Sequence, residues 1–266
     1  MQIPRSVTRR LRPIRPLVMP FRHLGLRESD AMLACYPRSG STWLRFMLVE
    51  ILVGSPAEFG PTFRAFIPYV GRHRRAMRFL PGGGRLIKTH ERYRHAYDRS
   101  RVMLLVRDPR DSLLSEYRHR GKPGSFDSFL GGFLHGPHNP YDPFGPWGDH
   151  TRGWMDSAPA SEGRLLVVRY EDLRQKTGRT LHEILDFLGV RAAPGRVEKA
   201  VSHNEIEQLG RREERAKAGR KGLPEKDRMV YTGLVEGWRE LLSEPQVAAI
   251  QRSWGDVLER LGYPLS

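Results

Sequence analysis

Four short apolar runs, each followed by polar or turn-forming residues, set the fold class of this sequence. They lie at 31–36, 85–89, 101–106 and 164–169. The last two contain the unbroken apolar tetrapeptides MLLV and LLVV, which are typical of strands buried on both faces of a sheet. Because helical patterns separate the runs, the sequence predicts a single α/β domain in which helices cover both faces of a central parallel sheet.

Apolar spacing and capping residues predict helices after these strands. Leucine and other apolar residues recur at helical spacing over 41–53, directly after the first run. Asp108 followed by Pro109 predicts the start of a second helix, which ends near Arg118. Asp accepts hydrogen bonds from the free N–H groups at a helix start, and Pro suits the first helical position.

Two further helices are predicted in the second half of the chain. Thr177 is expected to cap a helix that ends at Gly189, and apolar residues over 247–261 predict the last helix. Two segments, 121–148 and 210–228, are rich in Gly and Pro or in charge, and we predict irregular loops there. Loops of this length often bind ligands.

The chain is strongly basic, with 45 Lys and Arg against 30 Asp and Glu and a formal net charge of +15. A charge of this size predicts an anionic partner, and nucleic acid, anionic lipid and a phosphorylated small molecule all satisfy it. Seven arginines lie within residues 1–29. We interpret this segment as a basic N-terminal extension that precedes a domain over 30–266.

The cysteine content and the absence of long apolar runs bear on location. No run approaches the roughly 20 apolar residues that cross a bilayer, so the sequence predicts no transmembrane segment. The chain has one cysteine, Cys35, which excludes a disulfide framework and a cysteine-ligated zinc site. Since a single cysteine agrees with a reducing compartment, we expect a cytoplasmic protein.

The strongest functional motif lies between the first strand and the first helix and reads YPRSGSTW. A tight loop between a strand and a helix directs backbone N–H groups toward an anion, and Arg38 adds a cation. Ser41 and Thr42 add hydroxyl donors. Because the G-x-x-x-x-G-K-[ST] spacing of a Walker A loop is absent, we describe the motif as P-loop-like. Taken alone, it is also compatible with an ordinary capped helix.

Lys88 lies near the end of the second run and His90 follows the run directly, and both lie on the same side of the predicted strand because strand side chains alternate. A cation beside an imidazole at the carboxyl end of a strand pairs a charge stabiliser with a general base. A lone histidine is more often an ordinary polar residue, so this assignment depends on the other motifs.

Two more motifs follow the third and fourth strands. Arg107 ends the third strand, where its guanidinium can reach the loop at Arg38, and Ser115 supplies a hydroxyl to the same anion. An ion pair between Arg107 and Asp111 is the alternative. Tyr170, after the fourth strand, offers an aromatic ring for stacking or hydrogen bonding.

In this order, the motifs PRSGSTW, KTH, VRDPRD with a following Ser, and RYEDL resemble the cytosolic-type sulfotransferases that use 3'-phosphoadenosine 5'-phosphosulfate (PAPS). The resemblance covers residues 31–209 and continues more loosely through Gly233 and Trp238. It implies transfer of a sulfuryl group from PAPS to a hydroxyl or amine of an acceptor. The implied nucleotide product is 3',5'-diphosphoadenosine, and no metal is implied.

The resemblance also implies a role for each motif residue. It makes His90 the catalytic base and Lys88 the cation that steadies the sulfuryl group. It places the 5'-phosphosulfate at the loop and the 3'-phosphate at Arg107 and Ser115. The residues implied for nucleotide binding are Arg38, Ser39, Gly40, Ser41, Thr42, Trp43, Arg107, Ser115, Tyr170 and Gly233, with Trp43 and Tyr170 next to the adenine.

One segment departs from the family pattern. Members usually have Arg-Lys-Gly before a G-x-W segment, where the two cations hold the 3'-phosphate, whereas Tyr231 and Thr232 precede Gly233 here. The cations at 211–212 and at 220–222 are candidate replacements, and a solvated charged loop is the alternative.

Two other functions stay open from the residues alone. A nucleotide-dependent phosphotransferase, or kinase, would use the same loop, with Asp172 as a metal ligand. A nucleic-acid binder would explain the net charge, but zinc spacing, an RNP-like aromatic pattern and a helix-turn-helix signal are absent from the sequence. We therefore expect no nucleic-acid partner.

The acceptor is predicted only in outline. We expect a small-molecule or carbohydrate acceptor, and the sequence predicts no oligomeric state. Four arginines within 72–78 favour an acceptor that itself carries phosphate, carboxylate or sulfate, although a solvated surface explains them equally well. The aromatic candidates to stack on a ring or sugar are Phe63, Phe66, Tyr69, Phe126, Phe144 and Trp147.

Overall fold

The computed structural model describes residues 20–59, 65–122, 124–135, 144–218 and 233–265. The centre of the described chain is a four-stranded parallel sheet with strand order β2-β1-β3-β4. Each strand begins and ends within one residue of the run that predicted it, and the predicted parallel sheet is confirmed. The strands are β1 (Ala31–Cys35), β2 (Leu86–Thr89), β3 (Arg101–Val106) and β4 (Leu165–Arg169).

The described residues form eleven α-helices, which cover both faces of the sheet. None of these helices is long and apolar enough to cross a membrane. In chain order they are α1 (Ser41–Val53), α2 (Pro109–His119), α3 (Phe126–His135), α4 (Trp147–Met155), α5 (Ala158–Ser161), α6 (Tyr170–Gln175), α7 (Thr177–Leu188), α8 (Arg196–His203), α9 (Ile206–Ala218), α10 (Trp238–Leu241) and α11 (Glu244–Arg260).

Alternation along the central strand divides the core into two layers. Ala31, Leu33 and Cys35 of β1 pack in the layer of α1, α7 and α8, whereas Met32 and Ala34 pack in the layer of α3, α4 and α11. All five residues are fully buried, as expected of a strand covered on both sides. Helices therefore cover both faces of the sheet. The candidate functional motifs follow the carboxyl ends of its strands.

The helix ends predicted at Asp108 and Gly189 are confirmed, and the cap predicted at Thr177 is wrong. Asp108 accepts a hydrogen bond from the N–H of Arg110 at the start of α2. Gly189 ends α7 in the left-handed conformation, with φ 70°. Thr177 is itself the first helical residue of α7. Lys176 is both the C-cap of α6 and the N-cap of α7, so the short junction leaves Thr177 no extended capping position.

The two segments predicted as irregular loops are helical in part. Helix α3 buries Leu130 and Phe133 against the core, and α9 buries Leu209. The loop prediction is wrong for α3 because its apolar residues, at 126, 129, 130, 133 and 134, form one helical face in spite of two glycines. It is wrong for α9 because packing of Leu209 in the core stabilises a helix that is otherwise rich in charge. The stretches 136–143 and 219–228 lie outside the described residues.

Candidate active site

The carboxyl ends of β1, β2 and β3 open into one cleft. The chain crosses from β2 on one side of β1 to β3 on the other, and such a reversal of strand order is where open α/β sheets bind ligands. The cleft has a volume of about 330 Å³, which is in the range of small-molecule sites. Of the twelve site residues expected from the sequence, eleven line it: Arg38, Gly40, Ser41, Thr42, Trp43, Lys88, His90, Arg107, Ser115, Tyr170 and Gly233.

The loop after β1 leaves the start of α1 ready for an anion. Arg38 and Gly40 are both in the left-handed region, with φ 69° and 84°. Gly40 is the N-cap of α1 and gives the first turn no side-chain hydrogen bond, so the initial N–H groups of the helix are left for a ligand. Ser39 does not line the cleft. Its side chain is fully buried, and within the described part of the chain its Oγ has no hydrogen-bond partner.

Trp43 and Tyr170 form an aromatic wall beside this loop. Tyr170 is the first residue of α6, directly after β4, and its ring meets Trp43 edge-on with centroids 6.2 Å apart. Nε1 of Trp43 donates to the carbonyl of Asn204 at 2.7 Å, which fixes the indole. The guanidinium of Arg174, which we did not predict from the sequence, lies 5.2 Å from the centre of the Trp43 ring. An aromatic surface of this kind suits a flat base.

Arg107 connects the loop after β1 with the segment that begins at Gly233. Nη1 of Arg107 donates to the carbonyl of Arg38 at 3.1 Å, and Nη2 donates to the carbonyl of Leu234 at 2.8 Å. The guanidinium also lies over the Tyr170 ring, 4.6 Å from its centre. Nε of Arg107 is buried and has no hydrogen-bond partner among the residues that the structure describes. A buried donor without a partner is rare in proteins and is a reason to look for a ligand.

Ser115 of α2 belongs to the same site. Its Oγ accepts a hydrogen bond of 3.1 Å from Nε of Arg38, 77 residues away in the sequence. Asp111, the alternative partner for Arg107 in the sequence, accepts backbone N–H groups of residues 236 and 238, each at 2.9 Å. The two predicted anion sites, one at the loop and one at α2, are therefore adjacent.

The imidazole of His90 is oriented as a base toward the cleft. Nδ1 donates to the carbonyl of Cys35 at 2.6 Å, which leaves Nε2 as the accepting nitrogen. Burial, followed by the positive charge of Lys88, holds the pKa of His90 well below its ordinary value of 6.5. The ring is therefore neutral near pH 7. The ring of Phe144 lies 5.3 Å away, centre to centre.

Lys88 is only 2% exposed, and its ammonium is held by Tyr69. Nζ donates to the Tyr69 hydroxyl at 3.0 Å and lies 4.7 Å from the centre of the ring. The same hydroxyl is 3.4 Å from Nε2 of His90. The sequence pointed to Tyr69 only as a ring for stacking, because nothing in the local pattern places its hydroxyl between the other two residues.

Helix α2 brings three polar residues to the cleft that were not predicted from the sequence. They are Glu116, His119 and Arg120, and Glu116 accepts a hydrogen bond of 2.7 Å from Nε of Arg120. His119 lies one helical turn after Ser115, so i,i+4 spacing from Ser115 is the signal that would have found it. Ile206, at the start of α9, also lines the cleft.

The structure places the six aromatic candidates for acceptor binding in different surroundings. Tyr69 and Phe144 line the cleft. Trp147 is fully buried in the core instead, packed 5.5 Å from Trp254 between ring centres. Phe63 lies outside the described residues. The remaining two, Phe66 and Phe126, pack partly buried against the core.

The candidate replacements for the family's two cations are not at the cleft where the structure describes them. Arg212 donates to Oδ1 of Asn204 at 2.6 Å and to the carbonyl of residue 203 at 3.0 Å. Neither Arg211 nor Arg212 lines the cleft. The segments 220–222 and 231–232 lie outside the described residues.

Metal ligands were expected only under the kinase hypothesis. Asp172 does not line the cleft, and its Oδ2 lies 3.9 Å from Nε of Arg169. Within the described ranges, no group of three or more His, Cys, Asp or Glu residues is arranged to hold a metal ion.

The sulfotransferase domain family matches residues 28–262 of the chain. The chain belongs to this family. It is 28% identical to Sulfotransferase 2A1 of Mus musculus over 203 residues, which are 69% of this chain and 67% of that protein. It is also 28% identical to Cytosolic sulfotransferase 1 of Danio rerio over 186 residues, which are 62% of this chain and 60% of that protein.

Solved structures show the same fold. Mouse sulfotransferase SULT7A1, solved in complex with PAP, has a TM-score of 0.67 at 17% identity. The match covers 92% of this sulfotransferase and 90% of the mouse chain. A retinol dehydratase, solved with retinol and PAP, has a TM-score of 0.67 at 19% identity. The match covers 92% of this sulfotransferase and 86% of the retinol dehydratase chain. These structures support the fold, and the family match over residues 28–262 confirms the sulfotransferase predicted from the motifs. No finding favours the kinase alternative.

Proposed function

We propose that this sulfotransferase moves a sulfuryl group from PAPS to a hydroxyl or amine of a small molecule, with His90 as general base. One observation carries the proposal: two anion sites, at the loop after β1 and at Arg107 with Ser115, share one cleft and are joined by the hydrogen bond from Arg38 to Ser115. A donor with groups at both its 5' and 3' positions needs two such sites. The complexes of two proteins of the same fold with PAP, 3',5'-diphosphoadenosine, support this ligand class.

The residues of the cleft fit a nucleotide of this kind. The uncapped start of α1, with the hydroxyls of Ser41 and Thr42, suits the 5' end. The unpartnered Nε of Arg107 suits the 3'-phosphate. Trp43 and Tyr170 both line the cleft, where they offer aromatic surface to the adenine. When bound, PAPS supplies the sulfuryl group, and the leaving group is PAP.

Each reacting side chain has a defined task in this proposal. Nε2 of His90 takes the proton of the acceptor, and the bond from Nδ1 to Cys35 holds the ring in the orientation that this requires. Since the pKa of His90 is held low, the base is ready without prior loss of a proton. Lys88 donates one N–H to Tyr69, and its remaining N–H groups stabilise negative charge that develops on the transferred group.

The acceptor is proposed to lie beside His90, between Tyr69 and Phe144. Both rings line the cleft, and the chain holds Phe144 in place because Nε of Arg92 donates to its carbonyl at 3.0 Å. Retinol and androsterone are named in complexes of retinol dehydratase, which supports a small-molecule acceptor. A carbohydrate also stacks on such rings. His119 and Arg120 favour an acceptor with an anionic substituent.

Calorimetric titration with PAP in metal-free buffer tests the nucleotide part of the proposal. We expect the wild type to bind PAP, and Arg107→Ala to bind it about 10- to 100-fold more weakly, because hydrogen bonds to a charged group contribute about 1.5–3 kcal/mol. Arg179→Ala is the matched control, since this arginine is 75% exposed on α7, pairs with Glu183 and does not line the cleft. The control should bind PAP like the wild type.

Arg107 also holds two backbone carbonyls, so a second variant separates binding from folding. Ser115→Ala removes one hydroxyl from the same anion site, and we expect weaker PAP binding with an unchanged melting temperature. Wild-type affinity for PAP in both variants contradicts the proposal. Tighter binding of ATP with magnesium than of PAP would favour the kinase alternative.

We also propose the limits and the location of the enzyme. The domain over 30–266 carries the reaction, and residues 1–29 form a basic extension, a division supported by the seven arginines of that segment. A cytoplasmic location is supported by the single cysteine, Cys35, which is a free and buried thiol. Deletion of residues 1–19 removes five of these seven arginines, and PAP affinity should persist.

A further inference from the structure

The backbone around Tyr69 is fixed against strand β2 at Lys88. The N–H of Lys88 donates to the carbonyl of Pro68 at 2.8 Å, and the N–H of Val70 donates to the carbonyl of Lys88 at 2.8 Å. These two bonds form a short parallel bridge between Tyr69 and Lys88. The position of Tyr69 relative to the catalytic strand is therefore set by backbone pairing, and its side chain lines the cleft.

The hydroxyl of Tyr69 contacts both groups that the proposed reaction requires at the acceptor oxygen. It accepts a hydrogen bond of 3.0 Å from Nζ of Lys88, and it lies 3.4 Å from Nε2 of His90. Because Nδ1 of His90 donates to Cys35, Nε2 is an acceptor, and the Tyr69 hydroxyl donates to it. The phenol thus spans the cation and the base.

The charge around this hydroxyl agrees with that placement. Burial alone raises the pKa of Tyr69, but the charge of Lys88 and its hydrogen bond outweigh burial, and the net pKa is lowered. The contact to Lys88 is short, whereas the contact to His90 is near the limit of a hydrogen bond. An incoming acceptor hydroxyl can therefore displace Tyr69 from Nε2 at small cost and leave the contact to Lys88 intact.

We propose that Tyr69 selects against water as the sulfuryl acceptor, because its hydroxyl occupies the position between Lys88 and His90 until an organic acceptor displaces it. This inference rests on the proposed function. Without the Tyr69 hydroxyl, a water molecule binds the same two groups, since the cleft is open and both partners are polar. Exclusion of water is a recognised way in which enzymes prevent hydrolysis of reactive groups.

The reaction that Tyr69 prevents is hydrolysis of PAPS. In that reaction the water oxygen forms a bond to sulfur, and the bond from sulfur to the 5'-phosphate oxygen breaks. One water proton passes to Nε2 of His90 and later to solvent. The products are inorganic sulfate and PAP, and no oxidant or reductant takes part.

The test measures consumption of PAPS without any acceptor, so it needs no knowledge of the natural substrate. We expect Tyr69→Phe to release PAP and sulfate on the order of tenfold faster than the wild type, because the general base then acts on water. Tyr69→Phe with His90→Ala should return the rate to the wild-type level or below. Tyr117→Phe is the matched control, since the Tyr117 hydroxyl donates to the carbonyl of Gly124 and does not line the cleft.

A measurement on the protein without nucleotide tests the contact directly. Ultraviolet titration should resolve one phenol, absent in Tyr69→Phe, that ionises below the ordinary pKa of tyrosine. Lys88→Met should move this titration to higher pH. If the pKa of Tyr69 is the same in Lys88→Met as in the wild type, the inference is overturned, because the lysine then does not hold the hydroxyl.

Three outcomes of the PAPS experiment separate this inference from the proposed function. If the wild type fails to bind PAP, the proposed function falls and this inference falls with it. If PAP affinity is normal and Tyr69→Phe consumes PAPS no faster than the wild type, this inference alone is overturned. Sulfate found covalently on Tyr69 by mass spectrometry also overturns it, since the hydroxyl is then an acceptor rather than a barrier.

Discussion

Gly40 and Tyr170 lie so close together that a Cβ atom on Gly40 would stand 2.5 Å from two carbons of the Tyr170 ring. Gly40 also has φ 84°, a backbone conformation that residues with a side chain rarely adopt. Two independent restrictions therefore meet at one residue of the anion-binding loop. The ring of Tyr170 in turn supports the guanidinium of Arg107.

Replacement of Gly40 by Ala should weaken PAP binding by about tenfold or more, because the loop or the Tyr170 ring has to move and backbone strain of order 1–3 kcal/mol is added. Titration calorimetry measures the loss. Gly163→Ala is a matched control, since Gly163 has φ 68° and a Cβ atom added there would meet no heavy atom within 4 Å. An equal effect of both variants on PAP affinity contradicts the argument from Tyr170.

His90, the proposed base, should be neutral across the physiological pH range. Its pKa is lowered first by burial and then by Lys88, so the ring gains a proton only well below pH 6.5. Sulfuryl transfer should consequently lose no rate to protonation of His90 between pH 7.5 and 6.5. Ring signals followed by NMR against pH, assigned with His90→Asn, measure the pKa directly.

Lys88→Met should raise the pKa of His90, because it removes the nearby positive charge. Lys199→Met, at an exposed lysine of α8, should leave it unchanged. A wild-type His90 signal that titrates near pH 6.5 would contradict the lowered pKa of this residue.

The carboxylate of Asp111 should be required to hold the segment that carries Gly233. It is buried and accepts the N–H groups of residues 236 and 238. Asp111→Ala leaves both donors without a partner, and we expect a loss of about 2 kcal/mol in the free energy of unfolding together with weaker PAP binding. Asp111→Asn keeps one accepting oxygen and should lose less. Urea unfolding measures the stability of both variants, and Asp186→Ala, at an exposed residue, is the control. If Asp111→Ala is as stable as Asp186→Ala, Asp111 does not have this role.

Buried His150 should make the fold sensitive to acid. Burial, followed by the charge of Arg92, lowers the pKa of His150 to about 3, while the unfolded chain has the ordinary value of 6.5. Below pH 6.5 the unfolded state binds the proton and the folded state does not, so stability falls as the pH falls from 6.5 toward 3. At pH 5 the loss from this residue is about 2 kcal/mol.

Urea unfolding at pH 7.5 and pH 5 measures this loss. His150→Phe removes the titrating group, so the difference between the two pH values should shrink in that variant, provided its tryptophan fluorescence at pH 7.5 is native. An unchanged difference shows that other groups cause the acid sensitivity.

The sheet and the tight loop after β1 were predictable from the sequence because each depends on a local pattern. A strand covered on both faces must be apolar throughout, and that requirement explains the run from Met103 to Val106. The loop was visible because a strand, a tight turn and a helix follow one another within a few residues. Its order relative to the later motifs then identified the family.

The features that escaped prediction depend on contacts between distant residues. The hydroxyl of Tyr69 meets Lys88 because of a backbone bridge across 19 residues, which no spacing in the sequence indicates. Trp147 was an aromatic candidate for the acceptor, and tertiary packing against Trp254 takes it into the core. Arg174 reaches Trp43 from α6, across more than a hundred residues.

The hydrogen bond from Arg107 to the carbonyl of Leu234 also sets when this enzyme becomes complete during its synthesis. Leu234 follows Arg107 by 127 residues. When α6 has left the ribosome, all four strands are available to pair, while the residues at 233 and 234 are still unmade. A nascent chain at that stage has the sheet and the loop after β1 without the far wall of the cleft. A ribosome that stops before residue 233 therefore releases a chain that lacks part of the proposed nucleotide site.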